Sequence, residues 1–457
     1  MNKLSEMKGA VNRREFVKSS FLAFAATASA AATASGKESS EKKLKPDEKA
    51  GVRQVEKLIS TAPVLQNASE TSVTVTFAVN ADAIGWVEYS LSSDMTKAKR
   101  VFAGATGLIT LDDKLAHVTL RGLKSATRYW YRIGADRIVY ANGYSMKNLG
   151  PEKDLKIRSF MTLGCEAKGS FCVMNDTHDR KDVLDKVLSK IASIKPAAII
   201  WNGDATNVTE TKEHAIDMFL RTHEKHPEYA SEIPLMFVNG NHDLRGRFAR
   251  TMHELLLFRE PSERSGEYFD LGRNFVQRLG DIALIGMDTG EDKLDTNKYF
   301  AGLFQMQAYR EKQARWLAQV IEEPAIKTAR FKVVFCHIPL FDPDPNANPG
   351  DLAPNDTAPG YKNNWASWQR TCSKLWGPLF ERAGIQLVIA AHQHRVSYYA
   401  PAEGRSWAQI VGGGCSLTST NPACVPTVIE GSVKDGKLSV VIHDVRSDKV
   451  FAEYSFA

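Results

Sequence analysis

Gly169-Ser-Phe-Cys-Val-Met-Asn-Asp-Thr-His178 is an apolar run that breaks off in a polar cluster. Leu184, Val187, Leu188, Ile191 and Ile194 follow at the spacing of one helix face. A second apolar run, Ala197–Trp201, ends in Asn202-Gly-Asp-Ala-Thr-Asn207. Strand, helix and strand in that order predict an α/β core whose helices cover the sheet. The pattern recurs three times. Pro234–Val238 leads into Asn239-Gly-Asn-His-Asp243, Lys332–Cys336 into His337, and Gln386–Ala390 into Ala391-His-Gln-His394. Lys312–Ile321 reads as a further helix. In open α/β sheets, ligands gather outside the carboxyl ends of strands, so the five clusters are expected to converge.

Upstream, over residues 59–163, the helical period disappears. Val73–Phe77, Gly85–Tyr89 and His117–Leu120 alternate apolar and polar residues, and a turn at Gly122 precedes the aromatic strand around Tyr129–Arg132. These short alternating runs predict an all-β sandwich. Residues 36–58 are charged and lack apolar periodicity, as in a linker. Downstream, the chain is strand-rich after residue 406, and Val433-Lys-Asp-Gly-Lys-Leu438 carries the Asp-Gly signal of a hairpin. Residues 341–366 are rich in turn formers and leave the strand that ends at His337, so they are expected to overhang the clusters. The α/β domain is expected over residues 168–457.

The first 35 residues read as an export signal. Asn12-Arg-Arg-Glu-Phe-Val-Lys18 precedes the Ala-rich run Phe21–Ala34, which is too short to span a bilayer and holds the small-x-small sites Ala28-Ser-Ala30 and Ala32-Thr-Ala34. The stretch resembles a twin-arginine signal, which predicts a periplasmic or secreted protein that folds, and takes up any metal, before transport. No other segment is apolar enough for a membrane span. The net charge of +6 over 457 residues comes without a Lys/Arg stripe interleaved with aromatics, so no nucleic-acid partner is expected. The six cysteines form no CxxC pair, which argues against a zinc-thiolate site. Cys172 and Cys336 sit in apolar runs and read as core thiols, while Cys415 and Cys424 leave a short disulfide open.

Taken together, the clusters hold five of the eleven histidines, with aspartate and asparagine beside them. Such nitrogen and oxygen donors suit zinc, manganese or iron. The ordered series DxH, GDxxN, GNHD, H, HxH resembles the calcineurin-like metallophosphoesterase superfamily over roughly residues 168–445. The Leu123, Thr127, Tyr129, Tyr131 pattern resembles the fibronectin type III-like domain that precedes the catalytic domain of purple acid phosphatases. The resemblance implies a double-sheet α/β sandwich flanked by helices, preceded by an all-β fibronectin type III-like sandwich. It implies two divalent or mixed-valence metal ions (Zn, Mn or Fe). Asp176, His178 and His394 would hold the first, Asn241, His337 and His392 the second, and Asp204 would bridge them. His242 would stand beside the metals as general acid, oriented by Asp243. Arg245 and Arg247 follow closely, and either could grip a phosphate oxygen with its fork of donors.

This set suits hydrolysis of a small phosphate ester, a phosphomonoester or phosphodiester. Two cations neutralise the ester's charge and lower the pKa of a bridging water, so that hydroxide attacks phosphorus near neutral pH. Three departures from the family patterns stand out. Ala391 replaces the usual Gly of the last motif. His178 and Asn207 occupy the positions where purple acid phosphatases carry Gly and Tyr. The rival readings are a cyclic-nucleotide or glycerophospho-diesterase and a non-catalytic binding protein on the same fold.

Overall fold

Alternation along the strands sets the layers. In the computed structural model, which describes residues 55–105, 107–256, 271–341 and 361–457, Phe171 and Val173 of strand Phe171–Met174 face an inner core. Cys172 and Met174 face an outer core with Val183, Leu184, Val187, Leu188 and Ile191 of helix Lys181–Ile194. The same period of two splits strand Ile282–Met287. Ile282 and Leu284 join the inner core, while Ala283, Ile285 and Met287 pack outward with Trp316 and Leu317 of helix Met306–Val320. Two sheets therefore share one apolar interior and carry helices on their outer faces. Cys336 lies in the outer core, on the face away from the inner one, and all six cysteines are free thiols.

Parallel pairing levels the strand ends. Phe171–Met174, Ala198–Asn202 and Leu235–Val238 run side by side, with Met174 opposite Trp201 and Asn202 opposite Val238. In the facing six-stranded sheet Phe331–Cys336 and Leu387–Ala390 are also parallel, with Phe335 opposite Ile389. All five polar clusters thus leave the double sheet at carboxyl ends. The expected hairpin joins strands Thr427–Lys434 and Lys437–Asp444, with Asp435 and Gly436 both left-handed as a tight two-residue turn requires. Among the described residues no helix is long and apolar enough to cross a membrane.

Residues 59–163 are all-β, as expected, but the sheet runs across the boundary expected near residue 163. Strand Val64–Gln66 pairs in parallel with Leu235–Val238, Gln66 opposite Leu235. Ser72–Ala78 and Leu115–Arg121 continue outward, completing a nine-stranded sheet. The short ribbon of Gly104–Ala105 with Leu108–Ile109 is separate from it, as is the second N-terminal sheet, built on Ala83–Ser90 and Arg128–Asn142. Even there, Val87, Tyr131 and Phe160 enter the same inner core as Phe171 and Ile389. Arg158 of strand Arg158–Met161 adds a bidentate pair to Glu228, in the segment leading to Leu235–Val238. The leader, residues 36–54 of the linker, and residues 342–360 of the overhanging loop lie outside the described residues.

Candidate metal centre

Each ligand position lies where the chain turns sharply off a strand. Asp176, His178, Asp204, His392 and His394 have φ between 46° and 68°, a left-handed conformation that L-residues avoid. Such conformations cost roughly 1–3 kcal/mol each and persist where the surroundings over-determine them. Two glycines make the approach possible. A Cβ on Gly240 would overlap the Asp204 carboxylate, and one on Gly203 would meet the His337 ring.

The side chains converge in two sets. Asp176, His178, Asp204 and His394 form one, and Asp204, His337 and His392 the other; within each set the donor atoms lie within 4.8 Å of one another. Asp204 Oδ2 is 3.4 Å from His178 Nε2 and 3.2 Å from His337 Nε2, so one carboxylate belongs to both sets. Asp176 Oδ1 is 3.4 Å from His394 Nε2 and 3.9 Å from His337 Nε2. Asn241 Oδ1 joins the second set, 3.0 Å from His392 Nδ1.

These residues fit a cation. Asp176 Oδ1 and His337 Nε2 are buried without a hydrogen-bond partner, although buried polar atoms are nearly always paired. His178 Nε2 and His394 Nε2 stand 3.0 Å apart, each ring nitrogen facing the other. His337 Nδ1 lies 2.9 Å from the Asn202 carbonyl, which can only accept. That contact places a hydrogen on Nδ1 and aims Nε2 at the cluster, the usual outer support of a metal-ligating imidazole. His178 is held likewise, its Nδ1 3.1 Å from Asn207 Oδ1.

The charges are strongly coupled. Although burial works against a charged ring, attraction to Asp204 carries His337 up to about 9. His394 also overcomes burial and rises to about 11 through its contact with Asp176. Burial and the neighbouring His337 push His392 down to about 4. Asp176 and Asp204 stay below the ordinary carboxylate range: burial opposes this, but the histidines around them outweigh it. In the protein without a cation, protons on His337 and His394 balance the two carboxylates.

His242 lies beside the sets, its backbone N–H donating to Asp204 Oδ1 at 2.9 Å. Its Nδ1 is 2.9 Å from the Asn207 carbonyl, and Arg245 Nη1 is 3.2 Å from its Nε2. Burial first, and then Arg245, hold the ring below the usual histidine value against the pull of Asp204. The expected role of Asp243 needs correction. Its carboxylate accepts from the Thr206 and Gly240 backbone N–H groups at 3.1 and 2.8 Å, so it ties two ligand loops together; the His242 ring is oriented by Asn207 instead. Burial, then repulsion from Asp204, lifts Asp243 to about 7. Arg245 is engaged by Glu291 and Asp292, and Arg247 is exposed on the far side of Gly246.

Several residues were missed in the sequence. The leading asparagines of two motifs act as rivets. Asn175 Nδ2 donates to Asp176 Oδ2 and to the Gly413 carbonyl, both at 2.7 Å. Asn202 Nδ2 donates to the Cys336 and Ile389 carbonyls and so joins the two sheets. Their signal was present in the repeated placing of Asn directly after an apolar run. Asp179, which pairs with His214 and Asn207, extends the support behind His178.

A helix-covered double sheet that carries, at its carboxyl edge, two sets of nitrogen and oxygen donors sharing one carboxylate has the build of a metal-dependent hydrolase. Residues 169–396 match the family model of the calcineurin-like phosphoesterases, and the chain belongs to that family. It is accordingly a metal-dependent hydrolase of phosphoric esters. Among solved structures it is similar to a purple acid phosphatase from yellow lupin (Lupinus luteus) seeds, at 13% identity, over 87% of this chain and 74% of that one, with a TM-score of 0.59. It is also similar to PhoD, at 11% identity, over 88% of this chain and 90% of that one, with a TM-score of 0.56. At such identities the likeness is one of fold. No curated protein matches the chain.

Proposed function

We propose that the protein is a two-metal phosphoesterase acting on small phosphomonoesters or phosphodiesters outside the cytoplasm. The observation that carries this reading is the position of Asp204, whose one carboxylate belongs to both ligand sets. Asp176, His178 and His394 with Asp204 would hold one ion, and Asn241, His337 and His392 with Asp204 the other. Zinc, manganese or iron suits such donors. When bound, two cations neutralise the ester and activate water for attack.

The remaining work falls to this chain's own groups. Asp243 keeps the Gly240 and Thr206 loops in register, which holds Asp204 and Asn241 in place. The Asn207 carbonyl fixes a hydrogen on His242 Nδ1, so Nε2 is the nitrogen that delivers a proton to the leaving oxygen. A lowered pKa makes the protonated ring a stronger acid, and the incoming anionic ester favours its protonation. Arg245, whose charge Glu291 and Asp292 balance, stands over the same nitrogen and can steady the ester there.

His242→Ala tests the reading. Metal content should stay unchanged while kcat falls about 10²–10⁴-fold on alkyl esters, and less on esters whose leaving groups need no proton. A parallel fall in metal content would make His242 a ligand, and absence of hydrolysis by the metal-loaded native protein would leave a binding protein. The export reading rests on Arg13-Arg14 and the apolar run behind them. Replacing both arginines by lysine should keep the chain in the cytoplasmic fraction, and undiminished export would refute that route.

A further inference from the structure

A groove of about 660 Å³ opens at Arg245, whose Nη1 is 3.2 Å from His242 Nε2. Arg245 lines it together with Arg247, Arg250, Glu210 and the segment Tyr299–Phe304. The volume is that of a site for a drug-sized or nucleoside-sized group. Tyr299 and Leu303 are 80% and 65% exposed, so large apolar side chains stand in water at the edge of a polar centre. Clustered apolar exposure of this kind marks a binding surface. Among the described residues, the lining carries three arginines and one carboxylate, Glu210. Arg245 is paired with Glu291 and Asp292, which also hold Lys293. The Arg250 guanidinium also lies over the Phe304 ring, 5.7 Å from its centre, and extends the flat wall.

The position of the groove says which part of a substrate it meets. The group that protonates a leaving oxygen must stand on the leaving-group side of the phosphorus. An ester with that oxygen at His242 Nε2 therefore directs its leaving group past Arg245 and along these walls. We propose that the groove is a leaving-group subsite that selects esters of flat aromatic alcohols bearing a second anionic group. Tyr299 and Phe304 supply ring contacts, and Arg247 and Arg250 supply the counter-charge. The proposal rests on the reading of His242 as proton donor.

The test uses three probes with the zinc-loaded full chain: ethyl phosphate, phenyl phosphate and 4-carboxyphenyl phosphate. Tyr299→Ala should raise KM for both aryl esters about fivefold and leave ethyl phosphate unchanged. Arg247→Gln should lower the preference for the carboxyphenyl over the phenyl ester about fivefold. Calorimetry with 4-hydroxybenzoate gives a readout without turnover, and its affinity should fall in both variants. Equal effects on all three esters, or none, would overturn the subsite while the phosphoesterase reading stands. If no ester is cleaved, that reading fails and calorimetry alone decides: lost affinity in both variants supports the groove as an aromatic-anion site, and unchanged affinity removes it.

Discussion

The two halves of the ligand set use similar donors in different surroundings. The His337 side chain is fully buried and that of His392 is 8% exposed, whereas His394 keeps 40% of its side chain in solvent. His337 is held by a backbone carbonyl at the seam that Asn202 makes between the sheets. His178, in the other half, is held by the Asn207 side chain, and His394 packs against Gly414. The contrast is widest between His337, fully buried and fixed by a backbone carbonyl, and His394, which stands near the mouth. Rigid support belongs to the closed half, and exchange with solvent to the open one.

Removing what the halves share should have the largest effect. Asp204→Ala is expected to lower kcat by about 10⁴-fold or more, by analogy with catalytic groups that act as a unit. Elemental analysis should find one ion or fewer; two retained ions would show that the halves do not share this carboxylate.

Next come the halves compared directly, in chelator-treated protein. His337→Ala removes the fully buried imidazolium 3.2 Å from Asp204, leaves excess negative charge on the two buried carboxylates, and should cost about 3 kcal/mol. His394→Ala, at a half-open position, should cost about 1 kcal/mol or less. Equal losses in thermal or denaturant unfolding would dissolve the distinction. The pH dependence sharpens it. A histidine raised to about 9 contributes stability that is complete below its unfolded value, about 6.5, and is lost as pH rises through 9. The metal-free protein should therefore weaken across that window, with a shallower slope in His337→Ala. Zinc must displace the same proton, so zinc binding at pH 7 should acidify a weakly buffered solution.

The most local effect should come from Asn207→Ala. It removes the amide that orients His178 but keeps the backbone carbonyl that orients His242. Zinc affinity should fall about tenfold, in the open half alone. A competition titration that shows no change would mean that His178 needs no such support.

The centre was largely legible in the sequence because its ligands lie directly after apolar runs, and parallel pairing brings such positions to one edge. The resemblance assigned Asp243 to orienting the His242 ring, and local geometry gives it another task. On the short turn His242–Leu244, successive side chains diverge, and this carboxylate meets backbone N–H groups instead. Glu291 and Asp292 follow strand Ile282–Met287 without any motif, so nothing local marks them as the partners of Arg245. The pairing of Gln66 with Leu235 has no local signature either, since alternation in Val73–Phe77 shows a half-buried strand but not the sheet it joins.

That pairing also bears on how the chain comes into being. Val64–Gln66 leaves the ribosome long before Leu235–Val238, the strand it lies against. At translation speeds of about 5–20 residues per second, the gap lasts roughly ten to thirty seconds. During that time Ser72–Ala78 can pair with Leu115–Arg121, but the inward edge of this ribbon remains open. An unpaired edge invites strands from other chains. The N-terminal region is thus a template that waits for the rest of its own sheet, and slow synthesis or a chaperone would decide how many nascent chains reach the folded enzyme.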